Sequence, residues 1–162
     1  MRGLKVTAIA AIALLLVMVS LVAYLFLTAE VQVVNISVEG KEINAEDFDA
    51  LKTAIDQETF YGTLYQKPFE WKASSEYVRL TYKIKLRNNC LVPIDMIEVQ
   101  VVPQADDILQ FPDLDVKSLD LKSEGVIETS ILAPKNTHSI REMIVTYYLW
   151  GVSGNLKTVY GQ

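Results

Sequence analysis

The sequence predicts a mainly β protein, an antiparallel β-sandwich with one short helix, preceded by a single transmembrane helix. Three observations carry this. Val6 to Leu27 is a run of 22 residues without a charge. From Val78 to Arg87 apolar and polar residues alternate without a break. Beyond Val31, apolar runs of strand length recur between turn signals spaced about 8–12 residues apart.

As a helix rising 1.5 Å per residue, the first run spans about 33 Å, enough for a hydrocarbon core of about 30 Å. Thr7 and Ser20 carry its aliphatic hydroxyls, which can bond back to the helix's own carbonyls. Tyr24 and Phe26, near the far end, suit a membrane interface. Three readings of the run are open. A cleaved secretory signal has an apolar core of about 7–15 residues and small residues before the cut; this core is longer, and Leu27-Thr28-Ala29 puts a bulky residue where a small one is preferred. In a pilin-like protein the leader Met1-Arg2-Gly3 would be removed and the helix would pack in a filament core. An uncleaved anchor fits the length best. Arg2 and Lys5 precede the run, and the next basic residue is Lys41. Positive charge stays inside, so residues 1–5 are expected to be cytoplasmic, 6–28 to cross the cell membrane, and 29–162 to form an extracytoplasmic domain.

The 133 residues from Glu30 onward suffice for one domain with its own core. They hold all 20 acidic residues and 13 of the 15 basic ones, a net charge of −7. That sign argues against a nucleic-acid partner or an anionic lipid surface. A single cysteine, Cys90, allows no intrachain disulfide; it reads as a small residue buried at a strand end.

Taken in order, Val31–Val38 reads as a strand that follows the membrane almost without a linker, with Val34, Ile36 and Val38 on one face. Asn35-Ile36-Ser37 is a glycosylation sequon in pattern, on a strand beside the membrane. Gly40-Lys41 is read as a turn. Asn44 then caps a helix over 45–57, with Glu46 and Asp47 in its first turn and Phe48, Leu51 and Ile55 on one face. The irregular stretch 58–77 crowds Phe60, Tyr61, Tyr65, Phe69, Trp71 and Tyr77 together. These rings either cover an edge of the sandwich or, with Tyr65, Trp71 and Tyr77 as the candidate residues, present a surface for a sugar or peptide.

Val78–Arg87 is the clearest strand. Val78, Leu80, Tyr82, Ile84 and Leu86 face a core; Arg79, Thr81, Lys83, Lys85 and Arg87 face water or an acidic partner. Asn88-Asn89 turns the chain and Pro93–Pro103 returns it. There Ile94 and Met96 share one phase while Ile97, Val99 and Val101 take the other, a slip that predicts a β-bulge near Met96. Residues 106–120 read as an acidic loop. Leu119 and Leu121 begin a strand, Val126–Leu132 is another that ends at Pro134, and Ile140–Trp150, apolar on both faces, is a central one. A turn over 151–155 leads to a closing strand, 156–160. About seven strands with one early helix imply a sandwich of immunoglobulin-like type.

Catalytic chemistry is sparse. His138 is the only histidine, so a histidine-built metal site or a Ser-His-Asp triad lacks its parts. Gly151-Val152-Ser153-Gly154 lacks the spacing and helical context of a nucleophile elbow. No glycine-rich phosphate loop occurs. Asp106, Asp107, Asp113 and Asp115 supply oxygen ligands of the kind calcium takes, in no recognisable loop spacing. No cofactor and no enzymatic activity are expected.

The run Leu86-Arg87-Asn88-Asn89 followed by Val92-Pro93-Ile94-Asp95-Met96-Ile97-Glu98-Val99-Gln100-Val101 resembles the late embryogenesis abundant type 2 domain, also known as the water-stress and hypersensitive-response domain. Leu132-Ala133-Pro134-Lys135-Asn136-Thr137 is similar to that family's turn before a long strand, and the opening strand 33–38 also fits. The resemblance covers residues 78–148. It departs from the family at Asn88-Asn89, where the family has Asn-Pro, and in the longer segment 41–77. It implies a seven-stranded, often membrane-tethered sandwich without enzymatic activity, and it carries over no site residues. The function expected is structural or adhesive. The chain would be a membrane-anchored, non-catalytic sandwich in a surface or envelope assembly, with a protein partner or self-association. A pilin-like filament subunit and a carbohydrate- or peptide-binding module are the alternatives.

Overall fold

A computed structural model of the protein describes residues 2–68, 70–113 and 117–161. An apolar run free of proline can close every backbone hydrogen bond within one helix, and Arg2–Leu27 form a single helix, α1. Its span Lys5–Leu27 has a mean hydropathy of 2.8, and none of its most apolar stretch is buried. Thr7 Oγ1 donates back to the Gly3 carbonyl at 2.9 Å, as its position in a helix suggests. The end of the helix meets the β domain: Leu25 and Phe26 of its last turn, and then Ala29, pack against the core.

The remainder is mainly β, with one further helix and two antiparallel sheets. The strands are β1 (Val31–Glu42), β2 (Thr63–Leu64), β3 (Tyr77–Asn88), β4 (Ile94–Val101), β5 (Leu109–Gln110), β6 (Lys117–Leu119), β7 (Glu124–Pro134), β8 (Glu142–Leu149) and β9 (Val152–Val159). One sheet has the order β1-β3-β7-β5-β2 and the other β6-β4-β8-β9. Their inner faces share one core. Leu80, Tyr82, Ile84, Leu86, Ile127 and Ile131 from the first sheet meet Ile94, Ile97, Val99, Val101, Met143 and Val145 from the second. The alternation of β3 puts Tyr82, Ile84 and Leu86 wholly out of solvent, as its period of two requires.

Helix α2 (Ala45–Asp56) is capped by Asn44, whose Oδ1 accepts from the Asp47 amide at 2.7 Å while its Nδ2 donates to Asp47 Oδ2. Its face of Phe48, Leu51 and Ile55 forms a second cluster with Tyr77, Ile108, Leu109 and Leu132. Leu132 and Ile131 are neighbours on β7 and point to opposite faces, so α2 covers the outside of the first sheet.

The bulge expected at Met96 is present. Met96 has φ +49°, and the register slips between Ile94 and Ile97 against β6 and between Asp95 and Glu98 against β8. Strand β8 lies between β4 and β9, the interior position its apolar faces imply.

Several expectations are corrected. Residues 106–120, expected to form an acidic loop, hold the short strands β5 and β6, which are drawn into the sheets by pairing with β7 and β4. Gly40-Lys41 is not a turn: β1 runs through both, pairing them with Leu80 and Arg79, because the long partner β3 offers a continuous ladder. A register shift between Val33 and Asn35 leaves Val34 exposed on the edge strand, while Val31, Val33, Ile36 and Val38 pack on the core. Leu121 is in the turn after β6, not in a strand, since Ser123 closes onto the Asp120 carbonyl and sends the chain back into β7. The β8–β9 turn is only Trp150-Gly151. Their φ values of +50° and +80° give a two-residue left-handed turn, and β9 therefore begins at Val152.

Candidate functional site

Tyr65, Trp71 and Tyr77 are held by different elements and do not share one exposed face. Tyr77 opens β3 and is buried in the second cluster. Trp71 packs edge-on to Phe48 at 5.6 Å between centroids and tilted on Tyr77 at 6.0 Å. Its Nε1 is buried and, among the described residues, meets no acceptor. Tyr65 turns inward, its hydroxyl 2.8 Å from both the Val101 carbonyl and Gln110 Oε1, which share its one proton. Burial first, and then the Asp107 carboxylate, push its phenol up to about 12, so it stays protonated and unsuited to act as a base at neutral pH. Of the aromatic stretch, Tyr61 is the ring left in solvent, Phe60 lies on the second cluster, and Phe69 falls outside the described residues.

Beside Tyr77 is an open depression of about 340 Å³. Glu70, Glu76 and Asp106 line it together with Lys72 and Lys135, around an apolar floor of Ile108 and Pro134. Such a mixture of both charges selects no single ligand charge.

The basic row of β3 is met by acids from the flanking strands. Lys83 Nζ is 3.3 Å from Glu39 of β1 and 4.0 Å from Glu128 of β7. Lys85 and Arg87 both bind Glu124, Lys85 at 2.5 Å and Arg87 through its Nε at 2.7 Å. Hydrogen bonds from Lys85 and Arg87 hold the Glu124 carboxyl below its usual range. Arg79 instead stacks over the Phe111 ring at 4.3 Å. The face is thus a cross-strand ladder of paired charges.

The acidic loop contains a residue of another kind. Asp107 is buried, and both its carboxylate oxygens are taken by Arg141, by Nη2 at 2.7 Å and Nε at 2.8 Å. Arg141 is buried too, and it donates further to the carbonyls of His138 and Ile140 and to Thr137 Oγ1. Asp107 Oδ2 also accepts from the Gln104 amide. A carboxylate so occupied has no oxygen free for calcium, which corrects its place among the candidate ligands. Asp106 lines the depression, Asp113 lies near Tyr61 and Phe111, and Asp115 falls outside the described residues. Among the described residues no three His, Cys, Asp or Glu side chains converge in a way that could hold a metal ion.

Two buried amides have roles the sequence did not reveal. Gln110, on β5 of the first sheet, reaches across to β4 of the second. Its Oε1 accepts from the Val101 amide at 3.0 Å, and its Nε2 donates to the Val99 carbonyl and to Thr129 Oγ1. Asn88 Nδ2 faces the carbonyls of Val92, Leu119 and Asp120, and its Oδ1 accepts from the Cys90 amide. It thereby ties the β3–β4 connection to the β6–β7 turn. Cys90 is buried beside it, with Sγ 3.7 Å from the Glu30 carbonyl. His138 is exposed and contributes its carbonyl rather than its ring.

Comparison with known protein families and with curated proteins finds no match for the chain.

Proposed function

We propose that this chain is a single-pass membrane protein that holds a non-catalytic, immunoglobulin-like β-sandwich outside the cell, as a structural or interaction component of a surface or envelope assembly. The observation that carries the reading is the junction. A helix whose most apolar stretch is unburied runs, through Thr28–Glu30, straight into β1, and the Glu30 carbonyl already accepts from the Asn89 amide. So exposed an apolar surface needs a non-aqueous partner, and a bilayer is matched to its length. Arg2 and Lys5 before the span support a cytoplasmic N-terminus.

The strand order supports the immunoglobulin-like reading. β1-β3-β7-β5 corresponds to strands A, B, E and D, and β4-β8-β9 to C, F and G, although β5 precedes β6 along the chain. The stretch that resembles the late embryogenesis abundant type 2 domain, residues 78–148, supplies most of β3, all of β4 to β7 and most of β8. A non-catalytic role is supported by the use made of the buried polar groups: Asp107, Arg141, Gln110 and Asn88 are bound to one another or to backbone.

The test is protease treatment of sealed membranes carrying the full chain, with alkaline extraction in parallel. Digestion of the domain from outside, and retention of the intact chain in the membrane at alkaline pH, are expected. Release into the soluble fraction would overturn the anchor. A mature chain beginning at Leu4 would favour a filament subunit.

A further inference from the structure

We infer that the turns at the helix end of the domain form a second membrane contact, in which Leu91, Leu121, Trp150 and Val152 enter the interfacial layer of the bilayer that α1 crosses. The inference rests on reading α1 as a membrane span. Leu91, Leu121 and Trp150 come from three separate connections, β3–β4, β6–β7 and β8–β9, and Val152 opens β9 just after the last of them; each is about half exposed, at 46%, 54%, 53% and 55%. The register puts all three connections at one end. Val31, the first residue of β1, pairs with Asn88; Arg87 pairs with Glu124; Asp95, just after the β3–β4 connection, pairs with Tyr148 at the end of β8. That is the end at which α1 enters, and Phe26 of its last turn meets the Trp150 ring edge-on at 5.9 Å. The apolar tips are therefore continuous with the apolar helix.

Turn tips in water favour small polar residues, and a two-residue left-handed turn favours Asn-Gly. Here Trp150 takes the first left-handed position, where a bulky residue is strained. Its ring is one that settles at the membrane interface. The depth is limited by the turns' own backbone, which hydrocarbon cannot solvate, so the contact is with the headgroup and upper acyl region. Asp120 and Glu30 flank the tips, against Lys122, whose ammonium is already bound to the Asn89 carbonyl. That balance fits a zwitterionic surface rather than an anionic one. With α1 packed on the core through Leu25 and Phe26, and Ala29 just beyond it, a second contact fixes the tilt of the domain and directs the opposite end outward.

The experiment uses the full chain in phosphatidylcholine vesicles. Nitroxide labels are placed, in a Cys90→Ala background, at Leu91→Cys, Leu121→Cys and Val152→Cys, with Asn136→Cys at the opposite end and Leu15→Cys within α1 as references. The expected result is a severalfold higher ratio of oxygen to water-soluble nickel accessibility at the three tips than at Asn136. Tips as water-accessible as Asn136, with Leu15 in lipid, overturn the inference while leaving the anchor intact. Tips shielded from both reagents place a second protein surface there and also overturn it. A water-accessible Leu15 overturns the membrane reading itself, and this inference with it. The unlabelled chain gives an independent readout: phosphatidylcholine brominated in its acyl chains should quench a fluorescence component that Trp150→Phe removes, and the absence of such quenching would contradict the contact.

Discussion

The two ends of the β domain solve the same problem with opposite surfaces. At the end nearest α1, short connections carry single apolar side chains outward, and their backbones are tied together from inside by the Asn88 amide. At the far end, longer connections carry Glu76, Asp106, Lys135 and Asn136 on the surface, and the Asp107–Arg141 pair locks them from inside. Each end buries a polar clamp, because loop carbonyls and amides drawn into a core must find partners. What differs is the charge of the clamp, and with it the cost of breaking it.

The largest effect is expected at the far end. Arg141→Met leaves the Asp107 carboxylate buried and unpaired, and should cost about 3–5 kcal/mol in urea denaturation of the full chain in micelles. Replacing Asp107 by Leu as well should recover most of that loss. A single variant as stable as wild type would show that the clamp is not where the far end gets its rigidity.

Next comes Asn88→Ala at the near end. It removes a neutral group and orphans the Cys90 amide, so a loss of about 1–3 kcal/mol is expected. A loss equal to that of Arg141→Met would erase the distinction between a charged and a neutral clamp.

The response to alkali should be smaller and progressive. Tyr65 and Tyr82 are both pushed from 10.0 to about 12, chiefly by burial. The folded state keeps its protons longer than the unfolded chain does. Their contribution to stability is therefore complete below about pH 10 and lost as pH rises through about 12. Thermal melting followed from neutral to strongly alkaline pH should show the decline, and Tyr82→Phe should reduce it.

Least of all is expected from Leu121→Ser. An exposed turn residue should change stability by no more than about 0.5 kcal/mol. A large loss in the same micelles would mean that this tip packs on protein, and the contrast between the ends would need redrawing.

Much of the architecture was readable in local patterns. Alternation over Val78–Arg87, the Asn44 cap with Phe48, Leu51 and Ile55, and the phase slip at Met96 each describe a few consecutive residues, and each is present in the structure. The exposed apolar helix follows from length and composition alone. What the local pattern misjudged was where pairing continues or stops. Gly40-Lys41 looks like a turn until β3 is beside it, and the hairpin after Leu149 is two residues long because β9 pairs with β8 from Val152.

The polar interior belonged to tertiary structure alone. Asp107 and Arg141 are 34 residues apart, and Asp107 looks like every other acid of its loop until a guanidinium faces it. Gln110 is a polar residue in a short apolar run until the second sheet presents Val99 and Val101 to it. By itself the sequence determined the long elements, because helix and strand periodicity are set by the backbone of each segment; the short β2, β5 and β6, in stretches that read as irregular or as a loop, needed their partner strands. The tertiary structure decided which polar groups are buried, which charges pair and which apolar tips surround the helix, because those depend on partners that come from distant parts of the chain.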